Sequence, residues 1–198
     1  MEEIEVSKEI KLSAALAAEE AEKTHNNKER SILDHEGLFA GYVGEFVFND
    51  KTGAQSVDGS RHHDTLLNGC KIEVKTKQST SKPFLKNHNG NPVWEGTVPC
   101  YLDSLHKDPE TRPDYFVFFN IKYKKANKEG SIYKYKVNDL EFIYYGGYMS
   151  FDDYMDKRRL IPAKQKYSTN DRLVHIDQWN IYWSELEFKK LRNKNLTN

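Results

Sequence analysis

Cysteine is scarce: Cys70 and Cys100 are alone in 198 residues, and their spacing supports neither a disulfide framework nor a zinc knuckle. Long apolar runs are missing too. No stretch approaches the roughly 20 residues that cross a bilayer, and the first residues, Met1-Glu2-Glu3-Ile4-Glu5, are acidic where a secretory leader is basic and then apolar. The expectation is a cytoplasmic, reduced protein with no membrane partner. Net charge is absent as well, with Lys+Arg and Asp+Glu both 30, so the total says nothing about a polyanionic partner. There is no internal repeat and no clear linker, which points to one domain over 1–198.

What is present is unevenly placed. Residues 1–36 hold ten acids against five bases, so the rest of the chain is net basic by five. Lysines cluster at 71–86, at 122–136 and at 157–166, and a neutral total can hide a basic face. Aromatic residues make up 13%, apolar area enough to exclude a disordered chain.

Periodicity predicts helices over about 7–23, with Ile10, Ala14, Leu16, Ala17 and Ala21 near one face, and over about 34–48. In the second, Gly37, Gly41 and Gly44 share a stripe where another backbone could approach. From 62 to 77 the period becomes two. Residues 78–100 read as loop, 101–107 as a short helix, 114–122 and 131–137 as strands, and 139–145 and 151–159 as short helices. A late strand at 173–177 and a last helix at 185–192, capped by Ser184 and Glu187, complete the expectation. Segments 1–33, 34–145 and 146–198 are then a helical extension, a core and a C-terminal part. The fold class is α/β, a central mixed β-sheet flanked by helices.

The chemistry is concentrated in His62-His63-Asp64-Thr65-Leu66-Leu67-Asn68-Gly69-Cys70-Lys71-Ile72-Glu73-Val74-Lys75. Asn-Gly between two strand-like runs is a strong hairpin signal, because both turn residues must accept positive φ. A two-residue turn sets Leu67 against Cys70, Leu66 against Lys71, Thr65 against Ile72 and Asp64 against Glu73. Alternation then puts Asp64, Glu73 and Lys75 on one side and the apolar residues on the other. Facing acids destabilise a sheet unless a cation joins them, and hard oxygen ligands suit Mg²⁺, with Mn²⁺ as a substitute. A lysine beside such an ion can orient water and offset charge on a phosphate. Glu-x-Lys by itself says little, since it recurs at Glu9/Lys11 and Glu187/Lys189. The ordinary alternative is a solvated hairpin edge whose Asp64 is neutralised by Lys71 or Lys75.

With these residues the segment resembles the PD-(D/E)xK nuclease superfamily, in which an Asp at a strand start precedes Glu/Asp-x-Lys on the next strand. Here these are Asp64 and Glu73-Val74-Lys75. Gly41-Tyr42-Val43-Gly44-Glu45-Phe46 is similar to the family's preceding helix, with Glu45 in the acidic position, and residues 112–119 to its following strand. The match covers about 36–121, and His63 stands where the family's Pro is usual. The resemblance implies a restriction-endonuclease-like core and metal-dependent hydrolysis of DNA, with RNA left open and a homodimer compatible. Asp64, Glu73 and the Val74 carbonyl would be the metal ligands, Lys75 would act on water, and Glu45 would ligate or orient. His62, Lys77 and Gln78 are candidate substrate contacts, and Lys77, Lys82 and Lys86 with Trp94 could line a groove. Two rivals stand beside this reading: an inactive DNA-binding or interaction module that keeps the fold, and a metal enzyme for a small phosphorylated substrate.

Overall fold

The computed structural model describes residues 1–24, 35–57, 63–129, 132–163 and 176–191. In chain order the elements are β1 (Glu2–Glu5), α1 (Lys8–Thr24), α2 (His35–Thr52), β2 (Gln55–Ser56), β3 (Thr65–Leu67), β4 (Cys70–Ser79), β5 (Glu95–Pro99), β6 (Tyr115–Tyr123), β7 (Asn127–Glu129), β8 (Ile132–Lys134), β9 (Leu140–Ser150), α3 (Phe151–Lys157), β10 (Arg159–Ile161) and β11 (Gln178–Tyr182). Three short 3₁₀ segments, Cys100–Lys107, Val137–Asp139 and Trp183–Glu185, join them. The α/β expectation with a mixed sheet is met: six strands run in the order β1-β9-β6-β4-β3-β2. Among the described strands, only β4 and β6 pair in parallel. Among the described residues no helix is long and apolar enough to cross a membrane.

One face of this sheet carries α1 and α2. Ala14 and Ala18 of α1 and Phe39, Val43 and Val47 of α2 pack with Ile72, Val74, Val117, Phe119, Ile121 and Tyr145. The buried stripe of α1 is Ala14, Ala18 and Ala21, whereas Leu16, expected on that stripe, is 57% exposed. Small residues line the contact with α2, and the larger Leu12 and Leu16 are left outside. Of Gly41 and Gly44, the second is tightly packed: a methyl at Gly44 would collide with the Thr76 side chain on β4, while Gly41 faces open space.

The opposite face carries Phe116, Phe118, Tyr144 and Met149, packed with Val98, Ile181, Trp183 and Tyr154. A smaller sheet, β10-β11-β5, supplies part of this layer. Gly96 of β5 lies so close to the Phe118 ring that a side chain there would overlap it.

Several local expectations give way to tertiary pairing. The predicted helix 139–145 is the first half of β9, whose Tyr144 and Tyr145 are buried on opposite faces, the two-residue period that a central strand requires. β1 and β5 lie in segments read as chain terminus and loop, and each forms by joining an existing edge. Of the expected strand 173–177, residues 173–175 lie outside the described residues, and the strand observed is β11 at 178–182. No helix runs from 185. Glu187 instead exchanges backbone hydrogen bonds with Tyr148 at 2.9 Å each way, and Glu185, not Glu187, caps the turn by accepting from the Tyr182 amide at 2.9 Å. The Ser150 cap on α3 is as expected, its hydroxyl accepting from the Asp153 amide at 3.1 Å.

Candidate active site

The hairpin forms as its turn chemistry dictates. Asn68 and Gly69 have φ of 52° and 83°, the paired positive values of a type I′ turn. The register is Leu67↔Cys70, Leu66↔Lys71 and Thr65↔Ile72. Pairing ends there, one step short of the expected Asp64–Glu73 pair. The Asp64 amide donates to the Ile72 carbonyl at 2.9 Å, and Asp64 Oδ2 accepts from the Val74 amide at 2.6 Å. Asp64 thus reaches across Glu73 as a cap on the open edge of β4. Thr65 fixes the start of β3, its hydroxyl lying 2.9 Å from Asn49 Oδ1 on α2 and 2.7 Å from the Gln55 carbonyl.

β4 alternates as expected. Ile72 and Val74 enter the helix-side core, while Glu73 and Lys75 stand in register with Phe116 and Phe118 of the opposite face. Glu73 is only 6% exposed, and its Oε1 accepts a hydrogen bond from Lys75 Nζ. Lys71, one candidate counter-ion for Asp64, is committed elsewhere. Its ammonium donates to the Pro109 and Glu110 carbonyls at 3.1 and 2.8 Å.

Because β3 is three residues long, the β4 edge beyond it is open to α2, and Glu45 enters there. Gly44 brings the helix against Thr76, and the next residue, Glu45, comes within electrostatic reach of Asp64 and Lys75. Burial first, and then the Asp64 charge, push the Glu45 carboxyl up to about 8, with Lys75 opposing. Asp64 is pushed up to about 7 by burial and then by Glu73, against the pull of Lys75 and the Val74 amide. Glu73 is raised by burial, with Lys75 restraining the rise and Glu45 adding to it. Three desolvated acids therefore share one lysine, and all three carboxyls are raised.

Not every candidate joins this group. Lys77 follows Lys75 on the same face of β4 by alternation, whereas Gln78 falls on the helix side, in register with buried Ile121. His62 lies outside the described residues. Trp94, expected to offer an aromatic face, is half-buried, and the exposed ring is its neighbour Phe84, at 46%. Two residues were missed by sequence reasoning. Tyr42, one helical turn before Glu45, has its phenol raised by burial and then by the charges of Glu45 and Asp64; its i, i+3 spacing from Glu45 was the available signal. Asp114 clamps the start of the parallel pair. Its amide donates to the Lys71 carbonyl and its Oδ2 accepts from the Lys71 amide, both at 2.7 Å.

Among the described residues, no three His, Cys, Asp or Glu side chains are placed as a ready group for a metal ion. Asp64 spends one oxygen on Val74 and Glu73 is tied to Lys75. Carboxylate oxygens are the type of donor that a hard dication takes. The Val74 carbonyl also points to the Asp64 side, since the amide and carbonyl of a strand residue face the same neighbour. The chain matches no protein-family model and no curated protein.

Proposed function

We propose that this protein is a divalent-metal-dependent nuclease that hydrolyses DNA phosphodiester bonds. The observation that carries the reading is the gathering of Glu45, Asp64 and Glu73 around Lys75 at the open end of an Asn-Gly hairpin. The order of α2, hairpin and a strand parallel to β4 is compatible with a restriction-endonuclease-like core, which forms part of the proposal.

Asp64, Glu73 and the Val74 carbonyl would hold Mg²⁺, or Mn²⁺ in its place, with Glu45 beside them. The bound ion would supply the positive charge that polarises a phosphate and acidifies a water. The chain's own groups do the rest. Lys75, held by Glu73, stands where an ammonium can orient the attacking water and balance charge growing on phosphate oxygens. The Val74 amide keeps Asp64 turned towards the open edge. Lys77, two residues on along β4, would add a cation for the polymer backbone.

A second reading is favoured by the hydrogen bonds that tie Asp64 and Glu73 to protein donors: a nuclease-fold module that binds DNA without cutting it. Incubation with single- and double-stranded DNA, with and without Mg²⁺ or Mn²⁺, separates the two. The nuclease reading expects metal-dependent cleavage that is lost in Lys75→Ala and Asp64→Asn. Absence of cleavage under every condition, or equal cleavage by the variants, would refute it.

A further inference from the structure

Between Glu73 and Glu95 the chain contains four lysines and no acid. Its distal part is an ordered finger rather than the open loop suggested by composition. The Val93 amide donates to the Leu85 carbonyl at 3.3 Å, Asn87 N–H to the Asn91 carbonyl at 2.9 Å, and Gly90 N–H to the Asn87 carbonyl at 2.9 Å. Asn87 Oδ1 closes the tip by accepting from the Asn89 and Asn91 amides at 2.9 and 3.0 Å. Gly90, at φ 78°, supplies the left-handed residue that such a tip requires.

The base of the finger is anchored. Pro83 is buried, and the Trp94 carbonyl accepts from the Trp183 amide at 2.8 Å. The Trp94 ring meets Trp183 edge-on at 6.3 Å between centroids, and Trp183 is itself 2% exposed. On this anchored base Phe84 and Leu85 face solvent, 46% and 38% exposed. The Phe84 ring is braced from behind by Trp94, 6.3 Å away. Lys86 and His88 are exposed next to them.

An apolar ring held outward costs free energy unless something covers it. Lys82 at the base is paired with Glu3, but the 84–94 finger itself carries exposed Lys86 and His88 and no acid, which favours a polyanion, and the polyanion with flat apolar faces is a nucleic acid whose bases are unstacked. A duplex hides those faces; a single strand or a branch exposes them. The finger also continues directly from the strand that carries the candidate site. Eight residues lie between Lys75 and Phe84, so their Cα atoms are no more than about 32 Å apart, within about one turn of duplex.

We infer that the 84–94 finger presents Phe84 as a stacking surface for an unpaired base, with Lys86 serving the adjoining phosphate, so that the substrate is DNA containing single-stranded nucleotides. This rests on the nuclease reading for its choice of polymer, but its test does not use cleavage.

The full-length protein is titrated, in EDTA, against a short single-stranded oligodeoxynucleotide carrying 2-aminopurine and against the same sequence as a blunt duplex. The expected result is quenching of the single-stranded probe and tighter binding to it than to the duplex. Phe84→Ala should weaken single-strand binding about 5- to 100-fold, the range measured for loss of one base–aromatic stack, and change duplex binding by about twofold at most. Phe84→Trp should retain it, and Lys86→Glu should weaken both. Unchanged binding by Phe84→Ala, or a preference for duplex, overturns the inference. So does a light-scattering mass that falls in Phe84→Ala while DNA binding holds, because the patch would then be a protein contact. Stacking without metal-dependent cleavage would refute only the nuclease reading, and cleavage without stacking only the finger's role.

Discussion

Replacing Asp64 by Asn removes a charge while keeping an oxygen for the Val74 amide, now 2.6 Å from Asp64 Oδ2. The carboxyl is raised from its ordinary 3.8 to about 7, chiefly by burial and next by Glu73. A raised folded-state value means that the native protein holds the proton more tightly than the unfolded chain does. Near pH 4, close to the unfolded value of 3.8, the penalty is still below about 1 kcal/mol. As pH climbs towards 7 the unfolded chain ionises first, and native stability falls through that window and then levels off. At about 1.4 kcal/mol per pH unit, the full displacement corresponds to about 4 kcal/mol. Because Asp64 shares its environment with Glu73 and Glu45, the single substitution should recover about 1–4 kcal/mol. In the absence of metal, Asp64→Asn should therefore match the wild type near pH 4 and exceed it near pH 8. Saturating Mg²⁺ should offset most of that advantage at pH 8. At 100 times its Kd the ion stabilises a protein that binds it by about 3 kcal/mol, and the variant would have lost a ligand. Urea denaturation of both proteins at the two pH values, with EDTA or MgCl₂, measures all the terms. An Asp64→Asn protein less stable than wild type at pH 8 in EDTA, or one that Mg²⁺ stabilises equally, would refute the reasoning.

Three further outcomes follow from named contacts. Lys75→Ala should lower metal-dependent cleavage by at least about 100-fold in kcat. It should also reduce stability near pH 8, because Glu73 loses the cation that restrains its rise; single-turnover assays and urea melts read the two effects separately. Gly44→Ala should cost about 1–3 kcal/mol through overpacking against Thr76, and adding Thr76→Ala should return most of it, as a double-mutant cycle would show. Asp114→Ala deprives the Lys71 amide of its acceptor and should cost about 1–3 kcal/mol, with chemical denaturation as the measure.

The parts of the fold legible in the sequence were those in which local chemistry and tertiary demand agree. Asn68-Gly69 admits few conformations other than the turn it forms, and that turn carries the β3–β4 register with it. Ser150 caps a helix because its hydroxyl reaches an amide three residues on. Residues 115–123, with seven positions of nine buried, read as a central strand from composition. The misreadings share the opposite property. β1, β5 and the first half of β9 are strands only because an edge was waiting for them, and no window of eleven residues contains that edge. In α1 the hydrophobicity of Leu12 and Leu16 pointed inward, but the helix is drawn to α2 by its alanines, which carry little weight on a hydrophobic scale and much in close packing.

The candidate site divides along the same line. Glu73 and Lys75 lie two apart on one strand, and Asp64 lies one step beyond a hairpin, so period and turn geometry were enough to bring them together. Glu45 was placed by resemblance alone, because nothing in the period of α2 tells which helical turn will meet β4. What decides it is Gly44, where Thr76 of β4 fits against bare helix backbone and the next residue comes within electrostatic reach of Asp64 and Lys75. Sequence reasoning also placed Asp64 in a paired register, where it would have faced Glu73 as one of two similar acids. Ending the ladder at Thr65 changes the chemistry, since Asp64 gains an amide donor while Glu73 gains the lysine. The two acids thereby become inequivalent before any ligand arrives.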